Sequence, residues 1–284
     1  MAAFYNQATL SYSGGSTASN ITVGELVDVL GVSKTAVVPQ YGAGDRVTYV
    51  INLTNSGAAP LTGLTLADNL GAYAFGTGNL IPLDYVDGSV KYFVGGVLQT
   101  APAVTVGNGI TISGISVPAG GNSTIVYETT VNSFAPPGAD GRVTNTATVT
   151  GEGLTNPAVA EETISAATTA RPAITKSLSP TAVSENGRLT YTFTIQNSGM
   201  EPVDAAAAAV LRDSFDPRLS DLTVTFNGTA WSTPANYGYD AATGEFATVA
   251  GQITVPAAAY TQDPTTGAWS ITPGVSTLVV EGTV

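Results

Sequence analysis

Cysteine and histidine are both absent from this chain of 284 residues. Without cysteine the chain has no disulfide framework and no thiolate nucleophile. Without histidine it lacks the commonest general base and the commonest transition-metal ligand, so a Ser–His–Asp triad is excluded. The acidic segments do not have the spacing of a calcium-binding loop. The sequence therefore predicts no metal, no cofactor and no enzymatic activity.

Charged residues are also scarce, at 11% of the chain. The 9 basic and 21 acidic side chains give a net charge of −12, which disfavours nucleic acid and anionic membrane surfaces as partners. No apolar run is long enough to span a membrane. The N-terminal stretch Met-Ala-Ala-Phe-Tyr-Asn-Gln contains neither a basic segment nor an apolar core. We therefore predict no Sec signal peptide and no membrane span.

An internal repeat is the clearest positive feature of the sequence. The segment Arg46–Gly57 reads RVTYVINLTNSG, and 142 positions later Arg188–Gly199 reads RLTYTFTIQNSG. Lys34 and Lys176 keep the same offset without a gap. A repeated segment of this length indicates a duplicated structural unit.

Within each copy the apolar residues recur at every second position. Val47, Tyr49, Ile51 and Leu53 alternate with more polar neighbours, and glycine- and proline-rich turns separate such runs. Short alternating strands between turns are typical of an antiparallel β-sandwich. The predicted fold is all-β, with two tandem Ig-like β-sandwich domains.

These patterns set the expected domain boundaries. They are an N-terminal strand at 1–12, a connector at 13–31, a first domain at 32–153, a linker at 154–171 and a second domain at 173–284.

Three motifs carry a resemblance to a known family. They are GDRVTY at 44–49, LADNL at 66–70 and VTNTATV at 143–149, and together they resemble the DUF11-type repeat of prokaryotic surface proteins. The resemblance implies tandem Ig-like sandwiches on a cell-surface or appendage protein. One copy is contiguous, whereas the other is split between the two ends of the chain. Ordinary members of the family keep each repeat contiguous.

The split copy suggests how subunits join. The first copy continues from its strand at 123–131 to the strand at 143–149, whereas the second copy reaches 276–284 with no such strand after it. A similar strand, FYNQATL, occurs at 4–10. We predict that it completes the second domain of a neighbouring copy as a donor strand, giving a head-to-tail homopolymer. The predicted donor residues are Phe4, Asn6, Ala8, Leu10 and Tyr12, and the predicted acceptor edge is Leu278, Val280 and Val284. The alternative is that residues 4–12 pair within their own chain or lie disordered.

Successive side chains of a strand point to opposite faces. This alternation places three polar residues among apolar ones on inward faces of the first domain, namely Lys34, Asp68 and Asn145. The second domain repeats the lysine and the aspartate as Lys176 and Asp213, and donated Asn6 would supply the asparagine. Buried polar groups must satisfy one another. One hypothesis is a Lys–Asn isopeptide bond of the kind found in Gram-positive surface Ig-like domains, assisted by the aspartate. The alternative is an unreacted, hydrogen-bonded ion pair.

The sequence therefore predicts a structural subunit of an extracellular fibre on a cell or spore surface, whose partner is a further copy of itself. The competing hypothesis is an adhesin or carbohydrate-binding stalk, in which aromatic residues form a sugar-binding platform. The candidates for that platform are Trp231, Tyr237, Tyr239 and Trp269.

Overall fold

The computed structural model describes residues 2–284, which form strands throughout and one 3₁₀ turn at Ala205–Ala207. They divide into two compact units. Unit 1 comprises the described residues up to 136 together with 140–166, and unit 2 comprises 137–139 and 167–284. Among the described residues, no helix has the length and apolar character needed to cross a membrane.

The N-terminal residues form a β-ribbon, here called the N-terminal hairpin (residues 2–26). Its strands are β1 (Ala2–Asn6), β2 (Thr9–Tyr12), β3 (Gly15–Ala18) and β4 (Thr22–Leu26). β1 pairs antiparallel with β4, and β2 pairs antiparallel with β3. Residues 1–12 were predicted to be a detached strand and 13–31 a connector, but the connector instead supplies the second half of this hairpin. Met1 lies outside the described residues.

Unit 1 continues with fourteen strands, of which twelve form two six-stranded sheets and two, β9 and β10, pair only with each other. One sheet has the order β13-β12-β16-β7-β5, with β11 beside β16, and the other has the order β14-β15-β8-β17-β18-β6. The strands are β5 (Leu30–Ala36), β6 (Gln40–Tyr41), β7 (Arg46–Asn55), β8 (Leu61–Asp68), β9 (Tyr73–Phe75), β10 (Gly78–Leu80), β11 (Leu83–Tyr85), β12 (Lys91–Val94), β13 (Val97–Gln99), β14 (Ala103–Gly107), β15 (Gly109–Val117), β16 (Asn122–Val131), β17 (Arg142–Thr150) and β18 (Ala158–Ala166).

The core of unit 1 lies between these two sheets, as the alternation predicts. Val47, Tyr49, Ile51 and Leu53 of β7 are fully buried, while the residues between them are not. β17 and β18 pair along their length, and we call residues 142–166 the closing hairpin. The predicted linker at 154–171 therefore contains β18, a strand of the second sheet.

Unit 2 has a smaller second sheet than unit 1. Its five-stranded sheet has the order β19-β20-β28-β22-β23, its three-stranded sheet has the order β21-β25-β24, and β26 pairs with β27. The strands are β19 (Pro172–Ser179), β20 (Arg188–Asn197), β21 (Arg212–Ser214), β22 (Ser220–Phe226), β23 (Thr229–Trp231), β24 (Tyr237–Asp240), β25 (Glu245–Thr248), β26 (Ala259–Gln262), β27 (Trp269–Thr272) and β28 (Gly274–Thr283).

Equivalent strands identify what unit 2 lacks. β19, β20 and β28 repeat the pairing of β5, β7 and β16, and β21, which carries Asp213, takes the place of β8. In unit 1, β8 pairs with β15 on one side and with β17 on the other. Among residues 2–284, β21 pairs with β25 alone, so no counterpart of the closing hairpin lies on its second edge. Every residue of β19 is exposed.

This arrangement corrects the predicted acceptor edge. Leu278 and Val280 are buried in β28, which lies between β20 and β22, and Val284 is partly buried just beyond that strand. They do not form an open edge. The prediction assumed that consecutive strands are neighbours, but β17 crosses from β16 to the other sheet and pairs with β8. The edge that is paired in unit 1 and open in unit 2 is therefore that of β21.

Candidate functional site

Unit 1 brings its three predicted polar residues together in the core. Lys34 comes from β5, Asp68 from the end of β8 and Asn145 from β17. The side chains of Lys34 and Asp68 have 0% relative exposure, and Asn145 is equally buried. Three polar side chains at this depth are tolerated only if each finds a partner.

A chain of hydrogen bonds connects these residues through a fourth. Lys34 Nζ donates to Asp68 Oδ2 at 2.6 Å, and Tyr127 Oη donates to the same carboxylate oxygen at 2.7 Å. Asn145 Nδ2 donates to Tyr127 Oη at 3.0 Å. Tyr127 therefore lies between the carboxylate and the amide, with its hydroxyl in contact with both.

The turn after β8 completes the site with two backbone donors. Leu70 N–H donates to Asp68 Oδ1 at 3.0 Å, and Gly71 N–H donates to Asn145 Oδ1 at 3.2 Å. Both residues have positive φ, 51° and 75° respectively. A Cβ at position 71 would lie 2.5 Å from Val143 Cγ1. Glycine is thus required there for both the conformation and the close approach of β17.

Burial controls the charge of this site. Desolvation lowers the pKa of Lys34 from 10.5 to about 8, although the attraction of Asp68 opposes the shift. Burial also raises the pKa of the Tyr127 phenol well above its ordinary value, so this hydroxyl keeps its proton. The lowered pKa means that burial favours the neutral amine more than water does. The neutral amine is the nucleophilic form.

The arrangement supplies the groups that isopeptide formation needs. In that reaction a bond would form between Lys34 Nζ and Asn145 Cγ, the bond between Cγ and Nδ2 would break, and ammonia would leave. Asp68 would accept a proton from the amine, and the Tyr127 hydroxyl, which contacts both Asp68 and Asn145, would pass a proton to the departing nitrogen. The Gly71 N–H points at the oxygen on which negative charge develops.

Sequence reasoning did not single out Tyr127 and so missed its part in this cluster. The available signal was its hydroxyl on an apolar strand face, because a buried tyrosine hydroxyl needs a hydrogen-bond partner. Its ring also stacks on that of Tyr49, with 5.5 Å between ring centroids. Lys34 Nζ lies 4.8 Å from the centroid of the Tyr49 ring.

Unit 2 contains half of the same site, open to solvent. Lys176 Nζ donates to Asp213 Oδ2, and the two side chains retain 39% and 18% of their exposure. The ammonium lies 4.5 Å from the centroid of the Tyr191 ring, the counterpart of Tyr49. Tyr127, which pairs with Tyr49, is replaced here by Val280, which pairs with Tyr191. The unit 2 site therefore lacks both the phenol and an asparagine.

The predicted donor residues all lie on the N-terminal hairpin with their side chains exposed. Phe4, Leu10 and Tyr12 each keep half or more of their accessible surface. Asn6 in β1 and Ala8 just after it are exposed as well. These apolar side chains have not been buried by the hairpin itself.

The aromatic residues of the alternative hypothesis do not form an exposed platform. Tyr237 is buried, and Trp231 and Tyr239 pack against the core of unit 2. The Trp231 ring lies 4.8 Å from that of Phe226, measured between centroids. These three residues contribute to the packing of unit 2, and Trp269 in β27 is partly buried.

Comparisons with known proteins add no family assignment. No protein-family model and no curated protein matches the chain. A family 123 glycoside hydrolase from Clostridium perfringens is similar over 49% of this chain and 27% of its own, at 12% identity and a TM-score of 0.32. The pilus backbone RrgB from Streptococcus pneumoniae is similar over 86% of this chain and 55% of its own, at 17% identity and a TM-score of 0.35. BcpA, the major pilin subunit of Bacillus cereus, is similar over 95% of this chain and 73% of its own, at 11% identity and a TM-score of 0.35.

The chain thus spans about a quarter of the hydrolase and just over half of the streptococcal protein. At TM-scores this low the similarities carry no argument about function. The all-β sandwich architecture rests on the strand pairing described above.

Proposed function

We infer that this protein is a structural subunit of an extracellular, pilus-like fibre whose copies join head to tail. The N-terminal segment of one copy completes unit 2 of the next by donor-strand complementation. Donor and acceptor are different surfaces of the chain, so the contact is heterologous and repeats into a filament.

One observation carries this proposal: a strand edge that is paired in unit 1 is unpaired at the equivalent position in unit 2. In unit 1 the edge of β8 is paired with β17, whereas the matching edge of β21 is open among the described residues. The buried residues of β17 have counterparts 139 positions earlier in the N-terminal hairpin. Val143, Asn145, Ala147 and Val149 correspond in this way to Phe4, Asn6, Ala8 and Leu10.

The surfaces to be joined are apolar on both sides. Phe4 and Leu10 are exposed on the donor, and Ile174 and Leu178 are exposed on β19 of the acceptor. Burying each such side chain contributes about 1.5–3 kcal/mol. An added strand also satisfies the open backbone groups of β21, which would otherwise attract other chains.

The polar residues support a covalent version of this contact. Lys34 and Asn145, assisted by Asp68, would cross-link unit 1 internally. Lys176 and Asp213 would react in the same way with Asn6 of the neighbouring copy, which makes the fibre covalent along its length. Such a fibre suits a cell or spore surface, where subunits must hold without an energy supply.

The test compares substitutions on opposite faces of β1. Phe4→Asp puts a charge at the position equivalent to buried Val143, and Tyr5→Asp is the matched control on the other face. Both residues are exposed in the isolated chain, so neither change should disturb its folding. We expect the unaltered chain and Tyr5→Asp to form filaments by negative-stain microscopy, and Phe4→Asp to elute as a monomer.

Two results contradict the proposal. One is an unaltered chain that stays monomeric at all concentrations, as a ligand-binding stalk module would. The other is assembly of Phe4→Asp at the rate of the control.

A further inference from the structure

We propose that the donor is the whole N-terminal hairpin. Its first half (β1 and β2) and its second half (β3 and β4) insert together into unit 2 of a second copy. β1 and β2 add to the edge of β21, and β4 packs over the exposed face of β19. This inference rests on the proposed function and specifies its interface. It assigns a binding role to residues 13–26.

β1 and β4 of the N-terminal hairpin repeat the register of the closing hairpin, whereas the pairing of β2 with β3 is shifted by one residue. In the closing hairpin Val143 pairs with Ile164 and Asn145 pairs with Glu162. In the N-terminal hairpin the corresponding pairs are Phe4 with Gly24 and Asn6 with Thr22. Both strands therefore have counterparts, with the asparagine at the same place.

The residue pair that is buried in the closing hairpin has a counterpart in the N-terminal hairpin with a different division of side-chain volume between the two strands. Val143 and Ile164 are both buried in unit 1. In the N-terminal hairpin the Phe4 ring lies over Gly24, where an added Cβ would be 2.2 Å from Phe4 Cζ. A large and an absent side chain thus replace two medium ones. This complementarity shows that the two strands present one joint apolar surface.

The second strand is required because of what β18 does in unit 1. β18, the outer strand of the closing hairpin, lies against β5, the strand that carries Lys34. Its residue Glu162 contributes to the electrostatic field at Lys34. The equivalent face of β19 in unit 2 is exposed at every residue. A single strand paired with β21 would leave that face, with Ile174 and Leu178, in contact with water.

The order of elements along the chain points to the same occupant. In both units a β-hairpin precedes the strand that carries the lysine. The N-terminal hairpin ends at Leu26 before β5, and the closing hairpin ends at Ala166 before β19. The closing hairpin, which precedes β19, completes unit 1 by pairing β17 with β8. By the same rule, the N-terminal hairpin closes the unit before it in the fibre, and the proposed head-to-tail assembly makes that unit the unit 2 of another copy.

The equivalence also fixes the expected register of the interface. Ala147 pairs with Asp68 and Val149 pairs with Leu66 in unit 1. In the assembled fibre Ala8 should accordingly lie opposite Asp213 and Leu10 opposite Leu211. Leu26 takes the position of buried Ala166 and covers β19.

The first experiment changes β4 without touching β1. Leu26→Glu alters the face shared with Phe4, and Val23→Glu alters the opposite face of the same strand. Both side chains are exposed in the isolated chain. We expect Leu26→Glu to raise the concentration needed for assembly on the order of tenfold or more, and Val23→Glu to leave it unchanged. If Leu26→Glu assembles normally while Phe4→Asp does not, the fibre persists as a function but the two-stranded donor is overturned.

The second experiment tests whether the hairpin stays closed. Because the chain contains no cysteine, Tyr5→Cys with Val23→Cys creates a single possible disulfide across paired strands on the outward face. We expect the oxidised protein to assemble as fast as the reduced protein. Assembly of the reduced form alone would mean that β1 must leave β4, which refutes insertion of an intact hairpin.

Discussion

At the residue scale, the buried cluster of unit 1 determines which chemistry the protein can perform. Lys34 and Asp68 are wholly removed from water, and such a pair is costly unless further hydrogen bonds satisfy it. Tyr127 and Asn145 provide those bonds, and the turn at Gly71 adds a backbone donor. The same contacts that make the cluster tolerable also bring an amine, a proton acceptor and an amide into one polar network.

The first prediction at this scale concerns the mass of the protein. In the monomeric Phe4→Asp chain we expect a loss of one ammonia per molecule, owing to the bond between Lys34 and Asn145. Trypsin cannot cleave after a modified Lys34, and it does not cleave between Arg171 and Pro172, so digestion should yield residues 1–46 joined to 143–176. Intact-mass and fragment spectra measure both features.

Two substitutions separate the roles of the neighbours. Asp68→Asn should abolish the loss of ammonia, and Tyr127→Phe should slow it while the fold is retained, as circular dichroism would verify. Asp84→Asn, at the exposed position of β11, is the matched control and should react fully. A fully folded unaltered chain with no loss of ammonia would rule out the bond.

At the element scale, one buried asparagine fixes the turn after the central strand in each unit. Asn55 Oδ1 accepts from Gly57 N–H at 2.9 Å, and Nδ2 donates to the carbonyl of Ala59 at 2.8 Å. Asn197 makes the equivalent bonds with Gly199 and Glu201. The Asn-Ser-Gly motif of the repeat is therefore explained by backbone groups that would otherwise be buried without partners.

The prediction at this scale is that Asn55→Ala lowers the free energy of unfolding of unit 1 by about 2–4 kcal/mol. The reason is that the change leaves the turn's backbone groups unsatisfied. Asn52→Ala, an exposed position in the same strand, should change it by less than about 0.5 kcal/mol. Calorimetry of both variants in the monomeric Phe4→Asp background measures the difference. Equal effects would show that the turn does not depend on Asn55.

Strand positions followed from the sequence, but strand partners did not. The alternation in β7 correctly predicted which residues face the core, because side chains alternate strictly between the two faces of a sheet. It could not reveal that β17 crosses to the second sheet, since pairing depends on contacts between distant segments. For the same reason β18 and β4 were interpreted as linkers. Their pairing partners, not their composition, make them strands.

At the scale of the whole molecule, the two units share the same central strand pairing but differ in whether a hairpin covers the equivalent edge. Unit 1 contains its closing hairpin and a buried cluster, whereas unit 2 presents an open edge and an exposed Lys176–Asp213 pair. Because the Lys176–Asp213 site holds the amine and the carboxylate without an asparagine beside them among the described residues, the reaction there would wait for Asn6. A cross-link of this kind would form only after correct docking.

The prediction for the assembled fibre is that Asn6→Ala leaves assembly intact but removes its covalent character. The unaltered chain should run as a ladder of multimers after boiling in detergent, whereas fibres of Asn6→Ala should dissociate to monomers. Gln7→Ala, the neighbouring residue, is the matched control and should keep the ladder. A ladder that persists in Asn6→Ala would show that Asn6 is not the residue joined between copies.

The sequence by itself determined the repeat, the alternating strands and the polar residues on inward faces, because these depend on local spacing and on the two faces of a strand. Only the tertiary structure decided that Tyr127 connects Asp68 to Asn145, that the open edge belongs to β21, and that the N-terminal strand is half of a hairpin. Each of these depends on which distant segments pair with one another. That choice is made by the free energy of packing the whole core, and the spacing of residues along one strand does not contain it.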